Sequence, residues 1–182
     1  MIRTDMVETL FDAVLEEVSN FFSLSLREEI KLTRITPEAL RKWTESWKPI
    51  NTRVPPNGGW DWTDKTKNHN DRFSIKSLDI AIWNGNNDLC GLALCKRSKN
   101  YDNISILYIE GSPNNNHSLK GFIFSIIDAV YTEYAMATTN KVKQILIIDP
   151  VENLLNFYES YGYKVKKKFF SGKKCCKKGI PS

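Results

Sequence analysis

Histidine occurs only at His69 and His117 in the 182 residues, and the four cysteines, Cys90, Cys95, Cys175 and Cys176, stand at no metal-like spacing. A zinc site draws on several such ligands at characteristic intervals, so no bound metal is expected. His117 sits in a polar turn with no nucleophile or acid assigned to it by spacing, which leaves a Ser-His-Asp or Cys-His triad without its parts. Long apolar runs are missing too; nothing approaches the roughly 20 residues that span a bilayer. Met1-Ile2-Arg3-Thr4-Asp5 leads into an acidic amphipathic segment instead of the apolar region of a signal peptide. The expectation is a soluble, cytoplasmic protein with no membrane partner. No repeat is present, and the length fits one ordinary domain with a sizeable core.

What is present is a regular alternation of strand and helix signals. Ile30 to Ile35 alternates apolar with polar residues, and Thr36-Pro37-Glu38 supplies an N-cap and a proline at the first helical position. Leu78 to Trp83 and Asp88 to Cys95 are β-rich runs joined by Asn84-Gly85-Asn86-Asn87, a hairpin signal. Ile104 to Glu110 reads as a further strand. Lys120 to Ala137 reads as a helix with Phe122, Ile123, Ile126, Ile127, Val130, Tyr131 and Tyr134 on one stripe. In the last third, Gln144 to Ile148 is stopped by Asp149-Pro150. A short amphipathic helix follows with Leu154, Leu155, Tyr158 and Tyr161 on one face, and Gly162 stands where a left-handed C-cap is needed. These signals predict a mixed α/β fold.

Asn153, Asn156, Phe157, Tyr158, Gly162 and Tyr163 stand at or next to the positions of the pattern N-x-x-(A/L)-x-x-F-Y-x-x-x-G-F/Y. The chain thereby resembles the GNAT superfamily of acyl-CoA-dependent N-acetyltransferases, and the order of elements extends the likeness over about residues 29 to 170. The resemblance implies a mixed, mostly antiparallel sheet with a V-shaped splay between strands 4 and 5, flanked by helices. It also implies acetyl-CoA as acyl donor and a primary amine as acceptor, on a small molecule, a protein or peptide, or an aminoacyl-tRNA. The cofactor would meet Tyr108 and Ile109 on strand 4, the loop Ser118, Leu119, Lys120, Gly121 and Phe122, and Asn153. Against the family's Q/R-x-x-G-x-G/A loop, Gly121 falls on the pattern, while Ser118 stands for the usual Gln or Arg and Ile123 for the second glycine or alanine. Tyr158 falls where the family places the acid for the departing thiolate, and its phenol has a reference pKa of about 10. Glu110, ending strand 4, is the candidate base, and backbone N–H groups around Tyr108 to Glu110 would meet the oxyanion.

Two segments lie outside that resemblance. Residues 1–28 are expected to hold an amphipathic helix, with Met6, Val7, Leu10, Phe11, Val14, Leu15, Val18, Phe21 and Phe22 on its apolar face, before a single domain over 29–182. This helix is expected to pad the domain's own sheet, cap a substrate groove or make a homodimer contact. Pro49 to Asn70 is expected to be largely loop where the family has its second helix. Trp60, Asp61, Trp62 and Asp64 there suit a cationic amine, or else the two tryptophans anchor the loop. The net charge of +5 is concentrated in Lys164, Lys166, Lys167, Lys168, Lys173, Lys174, Lys177 and Lys178. That cluster either contacts nucleic acid or forms the solvated edge of a final hairpin that includes Phe169, Phe170 and Gly172. The other class of function is a catalytically inactive GNAT-shaped interaction protein.

Overall fold

A computed structural model describes residues 4–73, 77–98, 100, 102–138, 141–166 and 174–181. Its seven-stranded sheet has the order β1-β2-β3-β4-β5-β7-β6, where β1 is Ile30–Thr33, β2 Ile80–Asn84, β3 Leu89–Arg97, β4 Asn103–Gly111, β5 Gln144–Ile148, β6 Lys164–Lys166 and β7 Cys175–Gly179. Only β4 and β5 pair in parallel; the other neighbours are antiparallel. The helices are α1 Thr4–Leu26, α2 Pro37–Lys42, α3 Trp62–Phe73, α4 Ile123–Ala137 and α5 Leu155–Ser160. A π-helical turn, Trp43–Trp47, prolongs α2, and a 3-10 turn, Glu152–Leu154, precedes α5.

The period-2 alternation of the strands divides the core between the two faces of the sheet. On one face, Ile80 and Ile82 join Phe11, Val14 and Val18 of α1, Ile126, Val130 and Tyr134 of α4, and Tyr158 of α5. On the other, Ala81, Trp83, Leu92 and Leu94 meet Trp43, Trp47 and Trp62. α1 lies against β1 and α4, with Phe11 edge-on to Tyr134 at 5.3 Å. The helix therefore pads the domain's own sheet. Phe21 and Leu24 near its end stay exposed, at 62% and 82%.

Two expectations need correction. The segment from Pro49 to Asn70 is loop only in its first part, because α3 starts at Trp62: Asp61 accepts a capping hydrogen bond from the Asp64 N–H at 3.1 Å, and Trp62 is fully buried. The helix expected from Lys120 begins only at Ile123, since Gly121 takes φ +89° and keeps the preceding residues in turns. At the other end, β6 and β7 pair antiparallel as a hairpin. Lys167, Lys168, Phe169, Phe170, Gly172 and Lys173 lie outside the described residues. Lys178 is held by Asp128 at 2.7 Å and Lys174 by Glu152 at 2.7 Å, whereas Lys164 and Lys166 are exposed on β6 at the edge of the sheet. Lysines on an outer strand oppose edge-to-edge association.

Candidate active site

The site originates in one inserted residue. Leu94 pairs with Tyr108 and Cys95 with Ile106, so Leu107 is an extra residue, a bulge that bends β4. It also inverts the alternation: Ile104 and Ile106 face the α1/α4 side, but beyond Leu107 it is Ile109 that packs there, while Tyr108 turns to the α2/α3 side. The parallel ladder with β5 ends at the same point, Ile106 opposite Ile147. β4 runs on to Gly111 while β5 stops at Ile148, and Asp149, at φ 56°, turns the chain away. The two strands thus diverge as a V, leaving Leu107 to Gly111 unpaired on that edge.

Two adjoining cavities of about 290 Å³ each fill the opening. The first lies at the apex between Tyr108, Ile147, Ile148, Asp149 and Pro150, with Lys65 and Trp60 on its α3 side. The second extends along the β4 end to Ile123 and Phe124 of α4, and to Asn153, Leu154 and Phe157. Tyr158 lines both, as do Trp60, Ile109, Pro56 and Val151. The Tyr158 ring packs on Phe124 at 5.2 Å and on Phe157 at 5.8 Å, and its residue is 7% exposed. Burial, reinforced by the neighbouring Cys176, pushes the phenol up to about 12. At neutral pH it is a proton donor and not a phenolate.

Solved structures share this arrangement of strands and helices. The chain is similar to a GNAT-family acetyltransferase from Staphylococcus aureus Mu50, with a TM-score of 0.59 at 13% identity over 84% of this chain and 99% of that one. The GNAT fold is established. The ribosomal-protein-S18-alanine N-acetyltransferase of Escherichia coli matches with a TM-score of 0.58 at 13% identity, covering 84% of this chain and 95% of that one. The PaiA N-acetyltransferase of Thermoplasma acidophilum, in complex with coenzyme A, matches with a TM-score of 0.55 at 15% identity, covering 83% and 99%. No protein-family model matches the chain, and no curated protein sequence does. At such identities the likeness is one of fold, and the site must be argued from its residues.

In this GNAT frame the residues expected to hold the cofactor divide into two groups. Tyr108, Ile109 and Asn153 line the cavities. Gly121 precedes α4 with open space around its α-carbon, and no side chain caps the helix, whose N-cap is Phe122. Lys120 is exposed beside it. Ser118 points elsewhere, to a hydrogen bond with the Glu28 carboxylate, and Leu119 is fully buried in the core. Ile123 packs inward: a β-carbon on Gly91 would lie 2.9 Å from its Cγ2, and one on Gly111 3.5 Å from its Cγ1. The bulky residue at the second glycine position thus fills the space over two sheet glycines, although its edge also lines the second cavity.

Glu110 is 2% exposed and surrounded by donors. Its Oε1 accepts from Asn51 Nδ2 at 2.8 Å and the Gly59 N–H at 2.7 Å, and faces Arg53 Nη2 at 2.9 Å; Oε2 accepts from Trp62 Nε1 at 2.6 Å. The carboxylate ties the 51–62 segment to β4. Trp60 lines the cleft with its ring against Tyr108 at 5.4 Å, Trp62 is core, Asp61 caps α3 and meets Lys48 at 3.4 Å, and Asp64 is exposed in the first turn of α3. Sequence reasoning missed Arg53, Lys65 and Phe124 as cleft residues. Phe157 stood in the quoted motif, but nothing local marked Arg53 or Lys65.

Proposed function

We propose that this chain is an acetyl-CoA-dependent N-acetyltransferase acting on a primary amine of a small molecule, a protein or peptide, or an aminoacyl-tRNA. The observation that carries the reading is the unpaired β4 edge from Leu107 to Gly111, facing Tyr158 across a cavity that runs to the uncapped amino end of α4. These parts fit an acyl-CoA. An extended pantetheine arm takes hydrogen bonds from a free strand edge, and a pyrophosphate takes them from helix N-terminal amides, with Gly121 leaving room for close approach. When bound, acetyl-CoA supplies an activated acetyl group as a thioester.

The chain's own residues then do three things. Backbone N–H groups of β4 near the bulge are placed to stabilise negative charge on the acetyl oxygen. Tyr158 gives its proton to the departing thiolate as the C–S bond breaks and the amide C–N bond forms, and regains it from solvent. Aromatic and proline walls at Trp60, Tyr108 and Pro56 exclude water around the reacting atoms. Glu110 anchors the cleft wall instead of acting as a base, since Asn51, Gly59, Trp62 and Arg53 already occupy its carboxylate. The acceptor therefore reacts as the free amine, its ammonium proton lost to bulk solvent before it enters the cleft.

A thermal-shift titration with acetyl-CoA tests the reading. At a hundredfold excess over Kd, binding to the folded state adds about 2.7 kcal/mol, and the midpoint should rise by about 5–10 °C. No rise at millimolar acetyl-CoA would leave a GNAT-shaped interaction protein in its place.

A further inference from the structure

The first cavity, on the acceptor side of the cleft, holds a cation with no ion-pair partner among the described residues. Lys65, on the second turn of α3, is half-buried; its Nζ lies 3.2 Å from the Tyr108 hydroxyl, to which it donates, and 4.6 Å from the centre of the same ring. Among the described residues no ion pair joins it to a carboxylate. Arg53, the other cation of the cleft, is already neutralised by Glu110 at 2.9 Å. A partly desolvated ammonium on an aromatic wall is stabilised by the ring face, yet far less than by an opposite charge. Trp60 braces the Tyr108 ring at 5.4 Å and fixes that wall, while Asp149 lines the same cavity.

We infer that the acceptor is an amine that also carries an anionic group, a carboxylate or a phosphate, and that Lys65 is the residue that binds that group. The inference rests on the acetyltransferase reading above. A zwitterionic acceptor places its anion at Lys65 and its amine toward the mouth of the V. A polyamine presents only positive charge, and Lys65 repels it. No other half-buried lysine or arginine of the first cavity offers this contact among the described residues.

The test uses the full chain with three acceptors of similar size: 4-aminobutyrate, O-phosphoethanolamine and putrescine. Binding is measured by calorimetry and acetylation by thiol release. The parent should favour an anionic acceptor over putrescine by ~10-fold or more, the value of one charge-assisted hydrogen bond, and the better of the two anions names the group. Lys65→Met should abolish that preference while leaving acetyl-CoA affinity unchanged, and Lys65→Glu should reverse it in favour of putrescine. Preference for putrescine by the parent, or binding of none of the three, overturns the inference. A loss of acetyl-CoA affinity in Lys65→Met overturns it as well, by assigning the cation to the donor's phosphates. The acetyl-CoA titration of the parent reads the underlying function separately, so the two failures are distinct.

Discussion

Replacing Glu110 by glutamine separates its two readings, because it preserves shape while removing charge and half of the accepting capacity. Oε1 serves Asn51, Gly59 and Arg53 while Oε2 serves Trp62, so whichever way the new amide turns, its NH2 group faces a donor. In one orientation the indole N–H of fully buried Trp62 loses its acceptor; in the other, three donors do. An unsatisfied buried donor costs about 1–3 kcal/mol, and the lost charge assistance about as much, giving roughly 2–4 kcal/mol after discounting for the partly exposed Arg53. For a domain of this size that corresponds to a fall in Tm of about 4–16 °C. The measurement is thermal unfolding of parent and variant, paired with turnover on any accepted amine. Trp62→Phe should shift the midpoint in the same direction without touching a charge. If Glu110→Gln melts within about 1 °C of the parent while turnover drops ~1000-fold, the anchor reading is refuted, and Glu110 is the base.

Tyr158→Phe should lower kcat by ~100-fold or more with acetyl-CoA affinity nearly intact. Because burial holds that phenol up to about 12, the parent's rate should rise with pH as the amine deprotonates and show no fall from Tyr158 below about pH 10. His69, buried on α3, has its pKa lowered below 6.5 chiefly by burial, opposed by Asp79. The folded state then binds fewer protons than the unfolded one, so this contribution is complete above 6.5 and is lost as pH falls through the lowered folded value. Urea unfolding at about pH 7.5 and about pH 5 should show lower stability in acid, and His69→Gln should reduce that difference. Gly59→Ala puts a β-carbon 2.0 Å from the Arg53 carbonyl oxygen at φ +75°, and should cost more than about 2 kcal/mol in denaturant unfolding. Gly121→Ala, at φ +89° in open space, should cost only about 1–2 kcal/mol and weaken acetyl-CoA binding instead.

The local pattern of the chain determined the kinds of element and their order. An alternating run gave β1 and β-rich apolar runs gave β2 to β5, the Asn-Gly step gave the β2–β3 hairpin, and the motif from Asn153 to Tyr163 placed Tyr158 on a helix behind β5, where it does line the cleft. Those properties depend on residues a few positions apart, and short-range sterics and hydrophobic period record them. Tertiary structure alone decided the rest. Glu110 meets Asn51, Gly59 and Trp62 across 59, 51 and 48 residues of chain, and Ile123 turns onto Gly91 and Gly111 of neighbouring strands. Lys65 reaches Tyr108 only because the extra residue at Leu107 inverts which side of β4 faces α3. A bulge costs one residue of register and leaves no compositional mark, yet it opens the V and chooses the side chains that line it.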